Sequence, residues 1–265
     1  MAEYIFERAE DRRELERLRL IERVFDPASR RLLLATGLRS GWACLEIGPG
    51  AGSILAWLGT VVGPTGLVTG VEINPRFLQN EPAPPVQVIV GDIRTVSLPL
   101  RSFDLVHARF LLIHLADPGP VLDVLRCLLK PGGRLVLEEP DFSASLGVTG
   151  SPGALASVAN VHRAIERMFA GRALDHAFGS KLPSLLRQRG WEDLSVEREA
   201  RLFAGGSDMA RMMRLSAVQL REQYLATGAA TEQDIEAYCR FADDPETGAV
   251  YHGVVRVTAR TSPRS

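Results

Sequence analysis

Hydrophobic and polar positions along the chain fall into two alternating rhythms. Short apolar runs near residues 42–47, 67–72, 86–90, 103–108 and 134–139 read as buried strands, and stretches of three-and-four spacing lie between several of them. Residues 8–24 place Leu15, Leu18 and Ile21 with Val24 or Phe25 on one stripe of an amphipathic helix. A second helix is expected to start at Asp26-Pro27, Asp as N-cap and Pro in the first turn, and to carry Leu32, Leu33 and Leu34 towards Gly37. Another begins at Asp117-Pro118 and stops before Lys130-Pro131-Gly132-Gly133. Strand and helix in alternation predict an α/β fold with a parallel, doubly wound sheet.

The alternation pauses after Glu139-Pro140-Asp141-Phe142. Residues 150–178 read as an inserted helical cap, with Val158, Val161, Ile165, Met168 and Phe169 on its apolar side. A helix over 180–188, a strand near 194–203, helices near 207–226 and from Thr231, and a last strand over 250–258 complete the pattern. Thr231-x-x-Asp234 has the spacing of a capping box. The resulting division is an N-terminal helical lid over 1–40, a nucleotide-binding core over 41–142, a cap insertion over 143–179, and a C-terminal part of the sheet over 180–265 with a helical insertion near 205–243.

The chemistry concentrates where strands end. After the first strand comes Glu46-Ile47-Gly48-Pro49-Gly50-Ala51-Gly52, then the helical run Ser53-Ile54-Leu55-Ala56-Trp57-Leu58. Glycines between a buried strand and a helix start let backbone approach a ligand closely. The second strand ends in Glu72 and the third in Gly91-Asp92. In an open parallel sheet such ends face one crevice, and an acid at the second end suits ribose hydroxyls. A dinucleotide fingerprint fits poorly, because Ser53 stands where its third Gly or Ala belongs. A P-loop fits worse, since no Gly-Lys-Ser/Thr follows. A purely structural glycine turn would leave Glu72 and Asp92 unexplained.

These residues resemble the class I S-adenosylmethionine (SAM) dependent methyltransferases of the small-molecule type. The resemblance runs from about residue 40 to 142 and includes Phe103-Asp104-Leu105-Val106-His107-Ala108-Arg109-Phe110 and Leu129-Lys130-Pro131-Gly132-Gly133-Arg134-Leu135. It implies a Rossmann-like seven-stranded sheet whose last strand is antiparallel between the fifth and sixth. SAM is the implied cofactor and S-adenosylhomocysteine the product. Glu46, Gly48, Gly50 and Gly52 would line the methionyl end, Glu72 with Ile73 and Asn74 the ribose, and Asp92 with Ile93 the adenine. One departure is Asn74–Asn80, a helix start soon stopped by Pro82, Pro84 and Pro85 where the family has a longer helix.

Methyl transfer needs alignment and a dry site, and a base only for an acceptor that must lose a proton. His114 and Glu139 are the candidate bases, Arg109 a cofactor or substrate contact, and Tyr4, Phe110 and Asp141 candidates for the lid and substrate side. His107 and His252 on strands, and His162 and His176 on the cap, each read alone as structural. The expected acceptor is a small apolar or aromatic metabolite of secondary metabolism. The alternative is a protein of this fold that binds SAM for a non-methylating reaction or serves only as a partner.

Composition narrows the setting. The net charge of −1 gives no reason to expect nucleic acid. Cys44, Cys127 and Cys239 are scattered and odd in number, so neither a metal cluster nor a disulfide framework is expected. No run is long enough to span a bilayer and the N-terminus lacks a signal peptide's apolar stretch, so the expected setting is the cytoplasm without membrane partners. The amphipathic first helix can pack within one chain or between two, leaving a homodimer open.

Overall fold

The computed structural model describes residues 5–6, 11–78 and 83–262. Five strands, β1 (Ala43–Ile47), β2 (Leu67–Glu72), β3 (Val86–Val90), β4 (Phe103–Arg109) and β5 (Leu129–Asp141), pair in parallel in the order β3-β2-β1-β4-β5. Lys130–Gly133, expected as a turn before the fifth strand, is a bulge within β5: Phe103 pairs with Leu129 and Leu105 with Arg134. Later come β6 (Leu146–Thr149), β7 (Glu192–Glu199), β8 (Phe203–Ala204), β9 (Gly248–Val250) and β10 (Gly253–Arg260). β10 lies antiparallel to both β5 and β7, completing seven strands in the order β3-β2-β1-β4-β5-β10-β7. Because β10 runs against the others, it begins at the edge where β1 to β5 end, with Gly253 opposite Asp141.

Period-2 strands buried on both sides need cover on both faces. On one face Cys44, Val68, Leu105 and Val136 pack with α2 (Ser53–Val62) and with Leu32 and Leu33 of α1 (Asp11–Ala35). On the other, Leu45, Val106, Leu135 and Leu137 join the core that includes α3 (Gly119–Leu128) and α5 (Phe178–Gln188). Cys44 is fully buried, which pushes its thiol up to about 12, and no disulfide forms.

The remaining helices are α4 (Pro152–Gly171), α6 (Asp208–Gln219), α7 (Arg221–Ala226) and α8 (Glu232–Asp243). α8 packs on α4 and α6, and α6 also packs on α1, so the two helical insertions read from the sequence come together in space. β6, β9 and β8 form a small antiparallel sheet beside them, which the sequence pattern did not suggest. Ser151 and Ser207 cap α4 and α6, and Thr231 with Asp234 forms the expected capping box on α8.

The N-terminal segment differs from expectation. α1 is one helix of 25 residues that runs through Pro27 instead of restarting there. Asp26 does not cap; its carboxylate pairs with Arg30 one turn on and with Arg109 of β4. Two partners for a nearly buried acid outweigh the one ladder bond that Pro27 removes.

Candidate active site

The glycine run folds as the strand-to-helix turn. Gly48, Gly50 and Gly52 have φ of 67°, 61° and 95°, a region costly for any residue with a Cβ. A Cβ on Gly48 would lie 3.1 Å from Leu111, and one on Gly52 3.0 Å from Leu78. Backbone bonds continue past the strand ends: Gly48 N–H donates to the Val71 carbonyl and Gly91 N–H to that of Glu72, both at 2.9 Å. The glycine turn, Glu72 and Asp92 are thereby one continuous rim.

Each acid has a distinct setting. Glu72 accepts from the backbone N–H of Asn74 at 3.0 Å and of Gly50 at 3.4 Å; burial nevertheless raises its carboxyl above the ordinary range. Asp92 is held below its ordinary value by the Arg94 guanidinium beside it. Ile93 is buried and Ile73 exposed, while the Asn74 side chain caps the short turn Pro75–Phe77. That short turn is the helix start read from the sequence, standing where the family has a longer helix. α1 crosses above the glycines: Leu18 lies 3.5 Å from the Cβ position of Gly50, and Glu22 accepts from Ser53 N–H at 3.0 Å, capping α2.

Glu46 opens a buried ionic chain that sequence reasoning missed. His107 Nδ1 lies 3.5 Å from one Glu46 oxygen, and His107 Nε2 lies 3.2 Å from Glu138. Arg256 donates from Nε to Glu138 at 2.9 Å and from a terminal nitrogen to Glu199 at 2.9 Å. Glu46, His107, Glu138 and Arg256 are all buried. Burial alone would lower the His107 pKa, but the two carboxylates raise it to about 9, so the ring is an imidazolium. Burial pushes the Glu138 carboxyl up, and His107, with Arg109 and Ser29, brings it down to about 2. The second Glu46 oxygen is buried and, among the described residues, has no hydrogen-bond partner. A buried carboxylate oxygen left over beside a glycine turn is what a ligand's cationic or N–H group would satisfy.

Several residues read as candidates have other partners. Arg109 donates to Asp26 and to Ser29, both at 3.0 Å, and so ties β4 to α1 instead of projecting into the crevice. Glu139 is fully buried and accepts from the backbone N–H groups of Leu111, Leu112 and Ile113 at 3.2, 2.8 and 3.2 Å. Burial holds its carboxyl up at about 8 against those donors. Asp141 is taken up by Ser143, Ser180 and Arg198. Half-buried His114 is pushed to a lower pKa by burial and by Arg17 and Arg172. Tyr4 lies outside the described residues. Glu139→Gln, which keeps a single acceptor oxygen, is expected to cost about 1–2 kcal/mol in urea unfolding while leaving the turnover of folded protein near normal. A hundredfold drop in turnover at unchanged stability would return Glu139 to the catalytic set.

Phe110 has φ of 55°, unusual for a bulky residue and stored directly after β4. Its ring meets Phe25 of α1 edge-on, with centroids 4.9 Å apart, and the His252 ring at 5.8 Å. Beyond this cluster opens a cavity of about 630 Å³ between α1, β10, the end of β7 and the start of α6. A cavity of that size suits a small organic ligand.

Comparison with known proteins agrees with this geometry. Residues 45–137 match the family model described as "Methyltransferase domain". An uncharacterized 37.1 kDa protein in transposon TN4556 of Streptomyces fradiae is 36% identical over 118 residues, covering 43% of this chain and 34% of that protein. Aklanonic acid methyltransferase DauC of Streptomyces sp. (strain C5) is 32% identical over 127 residues, 45% of this chain and 58% of its own length. The chain thus spans roughly a third to just over half of these relatives. By fold it is similar to Haemonchus contortus phosphoethanolamine N-methyltransferase 2, solved with phosphomonomethylethanolamine and S-adenosylhomocysteine: TM-score 0.58, 16% identity, 92% of this chain and 57% of that one. Residues 45–137 thus match a methyltransferase domain, and they sit within the class I methyltransferase fold.

Proposed function

We propose that the protein binds SAM along the ends of β1, β2 and β3 and transfers its methyl group to a small apolar or aromatic acceptor. The observation that carries the reading is the unpartnered, buried oxygen of Glu46 beside a glycine turn, on a rim that also presents Glu72 and Asp92. In this reading Glu46 meets the methionyl ammonium while Gly48, Gly50 and Gly52 leave room for the chain behind it. Glu72, flanked by Ile73 and Asn74, accepts from the ribose hydroxyls, and Asp92 with Ile93 holds the adenine edge and face.

The cofactor supplies an activated methyl on a positively charged sulfur. The protein's part is to align an acceptor with it and keep water out. Leu18, Leu78 and Leu111 surround the glycine turn, and α6 packs on α1. No described helix is long and apolar enough to cross a membrane.

Isothermal titration with S-adenosylhomocysteine tests the reading. Saturable binding with one site per chain is the expected result. A folded protein that gives no heat and no thermal stabilisation with this ligand would overturn it.

A further inference from the structure

His252 opens β10's approach to the crevice and stands in the aromatic cluster. Its ring stacks on Phe25 at 5.8 Å with 24° between planes, and meets Phe110 and Phe142 at 5.8 and 5.1 Å. It also lines the 630 Å³ cavity. Nδ1 lies 2.8 Å from the Gly253 carbonyl oxygen, which accepts only from an N–H. The proton of the neutral ring is therefore on Nδ1 and the lone pair on Nε2. Among the described residues Nε2 has no hydrogen-bond partner. Burial lowers the His252 pKa to about 4, against the opposing pull of the Gly253 carbonyl and Asp141, so the lone pair is available at neutral pH.

The position matters as much as the tautomer. Phe110 follows β4 directly, and its neighbour Leu111 touches the glycine turn at Gly48. His252 therefore packs against the residue that directly precedes the one touching the glycine turn. The cavity is lined by Phe25, Phe203, Met209 and Val254 together with charged side chains that pair with one another: Arg23 with Asp208, Arg31 with Glu197, Arg201 with Glu199, and Arg256 with Glu138 and Glu199. A bare imidazole nitrogen in such walls selects a flat apolar molecule that carries one hydrogen-bond donor.

We propose that this cavity is the acceptor site, that the acceptor is an aromatic compound bearing a hydroxyl, and that His252 Nε2 receives the hydrogen bond and then the proton of that hydroxyl. The inference rests on the methyltransferase reading above. In the transfer, a lone pair on the hydroxyl oxygen forms the new C–O bond to the methyl carbon while the C–S bond breaks and its pair stays on sulfur. The O–H proton passes to Nε2, giving a methyl ether, S-adenosylhomocysteine and an imidazolium that returns its proton to water.

The test compares 1-naphthol with 1-methoxynaphthalene as probes on wild type, His252→Phe and His252→Gln, each with and without S-adenosylhomocysteine. Wild type is expected to bind the naphthol about fivefold more tightly than its ether, the worth of one neutral hydrogen bond of about 1 kcal/mol. His252→Phe, which keeps a ring among Phe25, Phe110 and Phe142, is expected to lose that preference. His252→Gln is expected to keep part of it. Equal binding of the two probes by wild type, binding of neither, or an undiminished preference in His252→Phe overturns the inference. With methyl-labelled cofactor and a panel of phenols, naphthols and their hydroxyl-free analogues, His252→Gln is expected to lower kcat about 100-fold at nearly unchanged KM. Unchanged kcat in His252→Gln, or labelling by wild type confined to compounds without a hydroxyl or absent altogether, overturns the proton-accepting role. S-adenosylhomocysteine heats on all three proteins separate these outcomes from failure of the methyltransferase reading, which would abolish that heat in wild type as well.

Discussion

His107→Leu is expected to destabilise the protein by about 3–5 kcal/mol near neutral pH, the cost of removing one member of a buried ionic pair. The ring has no exposure, and among the described residues it is the cation that pairs with Glu46. Leucine would fill part of the space but leave Glu46 without its counter-ion and take the imidazolium from Glu138, which keeps Arg256 and Ser29. The pH dependence identifies the cause. His107 is raised from 6.5 to about 9 in the folded state, so its contribution is complete below about pH 6.5 and is lost as pH rises through 9. Glu138 is depressed from 4.5 to about 2, so its contribution is present above pH 4.5 and lost as pH falls through 2. These two groups make wild-type stability highest between about pH 4.5 and 6.5. In the variant the His107 share of the decline between pH 6.5 and 9 should vanish, leaving the part below about pH 8 that Glu139 contributes, and the deficit should shrink in acid as Glu138, no longer held down by the imidazolium, takes up a proton. Urea unfolding at pH 4.5, 6 and 8.5 measures this. A deficit under 1 kcal/mol with the wild-type alkaline slope would mean that the ring is neutral and the chain of charges is not formed. Adding Glu138→Gln to His107→Leu should recover part of the loss, because the buried charge goes with its partner.

The cofactor half of the fold was legible because its signals are local. The glycine run needs positive φ at Gly48, Gly50 and Gly52 and has it, and the acids fall at strand ends because apolar runs stop there. The capping box at Thr231 is likewise written in four consecutive residues. The antiparallel place of the last strand followed from the family resemblance, and β10 occupies it. What was misread depends on residues far apart in sequence. Asp26 looks like an N-cap until Arg109, 83 residues on, takes its carboxylate. Glu139 looks like a strand-end acid until the turn after β4 brings three N–H groups to it. β6, β8 and β9 have two to four residues each, too short for periodicity to register.

The ionic chain was visible in outline. His107 and Arg256 each stand between apolar strand residues and Glu138 follows an apolar run, and such residues are rarely buried without partners. Pairing them required knowing that β10 inserts beside β5, which sets Arg256 opposite Glu138 in the register. His252 was passed over for the same kind of reason. Its significance comes from the carbonyl that fixes its tautomer and from the three phenylalanines, drawn from α1, the loop after β4 and the turn after β5, that surround it.

Glu72→Ala is expected to weaken S-adenosylhomocysteine binding by at least about 100-fold. A carboxylate that accepts from two ribose hydroxyls makes two charge-assisted hydrogen bonds worth about 1.5–3 kcal/mol each, so losing both costs about 3 kcal/mol or more. Glu72 is already oriented by Asn74 N–H at 3.0 Å and more weakly by Gly50 N–H at 3.4 Å, so little ordering remains to be done on binding. The same bonds mean that alanine also loosens the glycine turn, and two controls separate the effects. Glu72→Gln keeps one acceptor oxygen and should lose only about tenfold. The 2′-deoxy analogue of S-adenosylhomocysteine should bind wild type more weakly than the parent, yet bind Glu72→Ala no worse than the parent does, since the partner of the missing hydroxyl is already gone. Burial raises the Glu72 pKa above its usual 4.5, so the ionised form, and with it affinity, should fade on acidification at a pH higher than an exposed glutamate would give. In Glu72→Gln that acid limb should disappear. Alanine binding within threefold of wild type would remove Glu72 from the cofactor site and leave its burial as a matter of holding the glycine turn.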